Sequence, residues 1–191
     1  GQALDSGPNT IKVVVPVLPR ISNHTDLDTL RRHPQAEVCF VGPHQSIPAA
    51  DLIILPGSKN VRADVDWLRQ QGWESALKRH LRYGGRVLGI CGGFQILGTH
   101  IEDPHGVEGA PGESVGFGLL DIRTELRREK RLMRVEAKLT CLPLQPDVEG
   151  YEIHCGQSRG AALRSPAITV DDGTYDGAVS DDGQIIGTYL H

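Results

Sequence analysis

Three apolar, mostly β-branched runs occupy the first third of the chain: IKVVVPVLP (11–19), AEVCFVG (36–42) and DLIILPG (51–57). Runs of this length without polar alternation predict strands covered on both faces. Between the first two, Ser22 or Thr25 can cap a short helix running toward Arg32. After the third, ADVDWLRQQGWESALKRHLRYGG spaces Trp73, Ala76, Leu77, His80 and Leu81 along one helical side, and Gly84–Gly85 is the stop signal. RVLGI (86–90) predicts a fourth strand, and GGFQILGTHI starts a helix. Strands alternating with helices predict an α/β fold with a doubly wound, mostly parallel sheet. Right-handed crossovers then put the strand C-termini along one edge.

From Asp103 the pattern changes. DPHGVEGAPGESVGFG reads as loop, and LLDIRTEL, RLMRVEAKLTCLPL, VEGYEIHCGQSR, AITVDDGTYDGAVS and GQIIGTYLH read as short strands joined by turns. Asp172–Gly173 and Asp182–Gly183 are hairpin signals. This half is expected to be an antiparallel extension of the same sheet rather than a second domain.

The length, 191 residues, suits one sizeable core. A net charge of −4 argues against nucleic acid as a partner. Arg127–Arg128–Glu129–Lys130–Arg131 is a local basic run, read as a solvated face. No apolar segment approaches bilayer length, so no membrane partner is expected. The opening GQALDSGPNT is polar and turn-rich, and residues 1–10 read as a linker or as a cut made inside a longer protein. Cys39, Cys91, Cys141 and Cys155 are widely spaced with no C-x-x-C pair, which fits a reducing, cytoplasmic setting. His154–Cys155 is the one close His/Cys pair; adjacent strand residues face opposite ways, so no metal is expected.

The chemistry concentrates at Gly89-Ile90-Cys91-Gly92-Gly93, a G-x-C-x-G between predicted strand and helix. This is the thiol form of a nucleophile elbow, in which a strained turn projects the central side chain above the sheet edge. Strand and helix approach so closely that a Cβ two residues before or after the thiol would clash, which accounts for Gly89 and Gly93. The helix start favours thiolate over thiol, whose unperturbed pKa of about 8.5 leaves only a few per cent ionised at neutral pH. Cys91 is therefore the expected nucleophile.

Eight histidines compete as its base. His24, His33, His44, His80, His100 and His105 lie in turn, loop or helix contexts and are read as solvent-facing. His154 in YEIHCG and His191 in IIGTYLH lie on predicted strands, and spacing alone leaves the choice between them open. An oxyanion from acyl attack needs main-chain donors. The Gly92 N–H is one. LPGSKN reads equally as a plain turn capping the next helix or as a second donor at Gly57, where the missing Cβ lets the main chain approach a ligand.

Cys91-Gly92-Gly93-Phe94-Gln95 resembles the C-x-G-x-Q signature of class I (triad-type) glutamine amidotransferases. More narrowly, LPGSKN, GGRVLGICGGFQILG, DPHGVEG, GYEIHCGQ, DGAVSDDG and GTYLH are similar, in that order, to the C-terminal glutaminase domain of cobyric acid synthases, as is PVLPRISNHTDLDTL. The resemblance spans residues 11–191 and implies a flavodoxin-like glutaminase domain. In that reading ammonia leaves glutamine through a γ-glutamyl thioester on Cys91. A separate domain using ATP and Mg would then amidate carboxylates of adenosylcobyrinic acid a,c-diamide in cobalamin biosynthesis. The resemblance further implies His191 as general base and Gly57 and Gly92 as oxyanion donors. Gln95 would line the glutamine pocket, with Tyr151, Glu152 and His154 on the strand bordering it.

Two departures follow. The usual triad carboxylate two residues after the histidine is missing, and the domain reads as truncated after His191, a terminal position expected to hold the histidine poorly. No G-x-x-x-x-G-K-[ST] loop occurs, so the ATP-dependent synthetase domain is read as absent and no cofactor is expected in this one. Two other readings stand beside this one: a glutaminase subunit for peptidoglycan glutamate amidation, and a non-catalytic docking module of the same fold.

Overall fold

The protein is described by a computed structural model covering residues 10–22 and 27–191; the side chains of residues 154 and 155 lie outside the description. The 1–10 linker and the reading of His24 therefore fall almost wholly outside the described residues, as does Thr25 as a helix cap.

The predicted apolar runs form β1 (Ile11–Pro16), β2 (Ala36–Val41), β3 (Leu52–Leu55) and β4 (Arg86–Ile90), all mutually parallel. With β11 (Ala178–Val179) and β12 (Ile185–Thr188) they make a sheet in the order β11-β12-β4-β3-β1-β2. β12 is parallel to β4 and β11 antiparallel to β12. The doubly wound parallel sheet is as expected, with β11 as its antiparallel edge. Val13, Val14, Val15, Ile53, Ile54 and Leu55 are all buried, which is why these strands show no alternation.

The helical stretch after β3 is two helices, α2 (Val61–Gln70) and α3 (Trp73–Arg82), rather than one. Gly72 divides them at φ +83°, a conformation glycine adopts without a Cβ penalty. Asn60 caps α2 by accepting from the Ala63 N–H at 3.0 Å. Val65, Leu68, Trp73 and Leu77 form their buried face, worth about 1.5–3 kcal/mol per fully buried large side chain. Ser22 does not cap the short α1 (Asp28–Arg32); the Ser22 N–H donates instead to Gly57 O at 3.0 Å.

The second half departs from the predicted single sheet. β5 (His100–Asp103), β6 (Gly112–Val115), β7 (Arg123–Lys138), β8 (Asp147–Arg159), β9 (Ile168–Val170) and β10 (Tyr175–Asp176) build a separate sheet. Two predicted strands fuse into the 16-residue β7, whose register against β8 shifts between Leu126 and Arg131. The basic run sits at that irregularity. Ile101, Ile122 and Leu126 pack into the same core as Phe94 and Leu97 of α4 (Gly92–Leu97), so the second sheet leans on the elbow helix.

Candidate active site

Adjacent strands in the order β3-β4-β12 end at Leu55, Ile90 and Thr188, and being parallel they deliver the residues that follow to one edge. Those residues are Gly57, Cys91 and His191. All three line one cavity of about 380 Å³.

Cys91 has φ +50° and ψ −112°, left-handed backbone that a side-chain-bearing residue rarely adopts. Its N–H is anchored to Thr188 O at 2.8 Å, its carbonyl takes the Gln95 N–H at 3.1 Å, and the thiol reaches Tyr189 O at 3.4 Å. The glycines around it answer to contacts. A Cβ on Gly93 would overlap the Leu55 carbonyl, and one on Gly89 would stand 2.8 Å from Phe94 N. The elbow predicted from the sequence is thus formed.

Gly92 is buried, and a Cβ there would meet Val61 Cγ2 at 2.9 Å and Ser58 N at 3.1 Å. The Gly57–Lys59 turn lies against it, with a Gly57 Cβ position 3.7 Å from Cys91 Cβ. Two main-chain segments thus converge beside the thiol, as an oxyanion site needs.

His191 is well held, contrary to expectation. Its N–H donates to Tyr151 O at 2.9 Å and its carbonyl accepts the Tyr151 N–H at 3.0 Å, so β8 fixes both main-chain groups. The rings of Tyr151 and His191 lie 6.4 Å apart. One turn back, buried Asp176 accepts from the Thr188 hydroxyl at 2.5 Å and the Tyr189 N–H at 3.1 Å. Thr188 Oγ1 in turn accepts the Leu190 N–H at 3.0 Å. This carboxylate locks the β12 exit that carries His191.

Gln95 is buried, lines the cavity, and donates to Tyr189 Oη at 3.4 Å; that hydroxyl also bonds Ser158 Oγ at 2.6 Å. Burial pushes the Tyr189 phenol up, so it is neutral. Of β8, Ile153 lines the cavity. Tyr151 is half exposed and pairs with His191, Glu152 is buried, and neither is among the described lining residues. The His154 backbone stands opposite Arg131, and its side chain lies outside the described part.

Several lining residues escaped the sequence reading: Lys59, Glu108, Arg127, Arg128 and Lys130. The basic run, expected to be a solvated face, instead places three of its members in the cavity wall. Glu108 belongs to DPHGVEG, whose loop is tied down by buried Asp103: Val107 N–H donates to it at 2.7 Å, Glu108 N–H at 2.9 Å and Arg62 Nη1 at 3.0 Å. Burial raises Asp103, but these donors outweigh it and hold the carboxyl below the ordinary aspartate range. Burial raises the Glu108 carboxyl above its ordinary range, although the Arg62 N–H donates to it at 3.0 Å.

Among the described residues no group of three His, Cys, Asp or Glu side chains could hold a metal ion, and no helix is long and apolar enough to cross a membrane.

A family model described as the CobB/CobQ-like glutamine amidotransferase domain matches residues 12–191. Among solved structures, PurLQS from Thermotoga maritima superposes with a TM-score of 0.69 at 16% identity, over 95% of this chain and 87% of that one. A glutamine amidotransferase superposes at 0.66 and 16% identity, over 94% and 89%. Another, from Thermotoga maritima, superposes at 0.62 and 12% identity, over 95% and 75%. At such identities these likenesses speak for the fold.

Proposed function

Since the chain belongs to the CobB/CobQ-like glutamine amidotransferase family, we propose that it is the glutaminase domain of a cobyric acid synthase. The observation that carries a glutaminase reading is the meeting of Cys91, Gly57, Gly92 and His191 at three adjacent strand ends around one cavity.

In this reading the Cys91 thiolate attacks the side-chain carboxamide carbon of glutamine. A sulfur–carbon bond forms and the carbonyl electrons move to oxygen, beside the N–H groups of Gly92 and the Gly57 turn. Collapse breaks the carbon–nitrogen bond, and the His191 imidazolium gives its proton to the departing ammonia. Water then attacks the γ-glutamyl thioester, His191 takes its proton, and glutamate leaves as the thiolate is restored. Gln95, held by Tyr189, walls the carboxamide end. Lys59, Arg127, Arg128 and Lys130 give the cavity an excess of positive charge suited to the amino-acid carboxylate.

The corrinoid assignment is supported by DPHGVEG, GYEIHCGQ, DGAVSDDG and GTYLH, whose likeness is to cobyric acid synthases. Glutamine amidotransferases work with a synthetase domain or subunit. Here we take it to be the ATP-dependent domain of the same enzyme, acting in the cytoplasm on adenosylcobyrinic acid a,c-diamide. The test is stimulation of glutamine hydrolysis by added partner. A cobyric acid synthetase half with ATP, Mg and the diamide is expected to raise turnover at least about tenfold, as partner docking completes such sites. Stimulation by a peptidoglycan-glutamate ligase instead would overturn the pathway and leave the chemistry standing.

A further inference from the structure

Asp64 on α2 carries a fully buried carboxylate that does not line the cavity. Its two oxygens have separate tasks. Oδ1 accepts from Arg20 Nη1 at 3.1 Å, and Oδ2 accepts from the Ser58 hydroxyl at 2.6 Å. Ser58 Oγ in turn accepts the Asn60 N–H at 3.1 Å. Arg20 is bound twice, because its carbonyl accepts the Lys59 N–H at 2.7 Å while its side chain holds Asp64. Two residues on, the Ser22 N–H donates to Gly57 O at 3.0 Å. The turn 57–59 is therefore strapped along its backbone by residues 20–22, and pinned through Ser58 from below by Asp64.

A buried carboxylate is costly unless its oxygens are satisfied, and this one spends one on the turn beside the thiol and the other on the segment that straps it. We propose that Asp64 is a positioning residue that fixes the Gly57–Lys59 turn at the distance where its main chain can meet an oxyanion on the Cys91 adduct. It acts through Ser58 and Arg20 and touches no reacting atom. The proposal rests on the glutaminase reading above, in which that turn supplies an oxyanion donor. A Cβ built on Gly57 would stand only 3.7 Å from Cys91 Cβ, so the turn runs close beside the thiol residue and a shift of it is felt at the site.

The test compares two reagents on the full chain. A glutamine chloroketone reacts by thiolate addition to its carbonyl, which forms an oxyanion, before sulfur shifts to the adjacent carbon and chloride leaves. Iodoacetamide alkylates the same thiol by direct displacement of iodide and forms no oxyanion. In Asp64→Asn the maximal chloroketone inactivation rate is expected to fall about tenfold, part of the 10²–10³ that losing an oxyanion donor costs. The chloroketone half-saturation and the iodoacetamide rate are expected to stay within about twofold. Ser58→Ala, a lighter change at the same pin, is expected to show the same selective fall and serves if Asp64→Asn does not fold. Equal loss with both reagents, a change confined to half-saturation, or no change would overturn the proposal. Failure of the wild-type chain to react with the chloroketone, while iodoacetamide still alkylates Cys91, would instead contradict the glutaminase reading beneath it.

Discussion

The main chains of His191 and Tyr151 pair in both directions, N–H to carbonyl at 2.9 and 3.0 Å, so the imidazole that shares a cavity with Cys91 is carried on a two-bond bridge to β8. Tyr151→Pro removes one of those donors and leaves the His191 carbonyl unmet. Glutamine hydrolysis is expected to fall by about tenfold or more, a share of the roughly 10²–10⁴ a positioned base contributes. Tyr151→Phe keeps the N–H and is expected to stay within about twofold of wild type. Steady-state ammonia release checks both.

Gly93 has the Leu55 carbonyl where a Cβ would go. Gly93→Val should cost about 3 kcal/mol or more, since the obstacle is backbone and cannot rotate away. Activity should be lost with it, and urea unfolding with a glutaminase assay reads both. A fully active Gly93→Val protein would contradict the elbow geometry.

Asp176 holds the Thr188 hydroxyl and the Tyr189 N–H in a buried setting. Asp176→Ala strands both donors, and unfolding free energy is expected to drop by about 2–4 kcal/mol. Because the residue anchors the β12 exit, glutamine turnover should fall even at temperatures where the variant remains folded.

The Asp103 carboxyl lies below its ordinary range in the fold, so the unfolded chain takes up more protons as pH drops through about 4. Its contribution to stability is complete above the unfolded value and is lost as pH falls. Urea unfolding should therefore lose stability as pH falls below about 5, and Asp103→Asn should lessen that loss. The protection of the Val107 and Glu108 amides, which donate to this carboxylate, should fall over the same interval when their exchange is compared with the intrinsic rate at each pH.

The parallel sheet and the elbow could be read from the sequence because their causes are local. Continuous β-branched runs encode two-sided burial, and Gly89, Cys91 and Gly93 encode a strand–helix approach within five residues. The second sheet could not be read so directly. Alternating strands state which face is buried but not which sheet they join, and the β7–β8 register depends on a shift near the basic run. The single long helix failed at Gly72, where one left-handed glycine separates two amphipathic stretches of the same polarity. Asp64, Asp103 and Asp176 look like ordinary surface carboxylates in the sequence. Their partners stand as far as 44 positions away and meet them only after folding.

The central claim is that the Cys91 sulfur takes the acyl carbon of a glutamine side chain in the cavity it shares with His191. Incubation with an electrophilic glutamine analogue, followed by mass-spectrometric mapping, tests it most directly. One adduct per chain on Cys91, absent in Cys91→Ser and suppressed by excess glutamine, is the predicted result. No adduct on Cys91, even with the synthetase half present, would contradict it and favour a docking role for the domain.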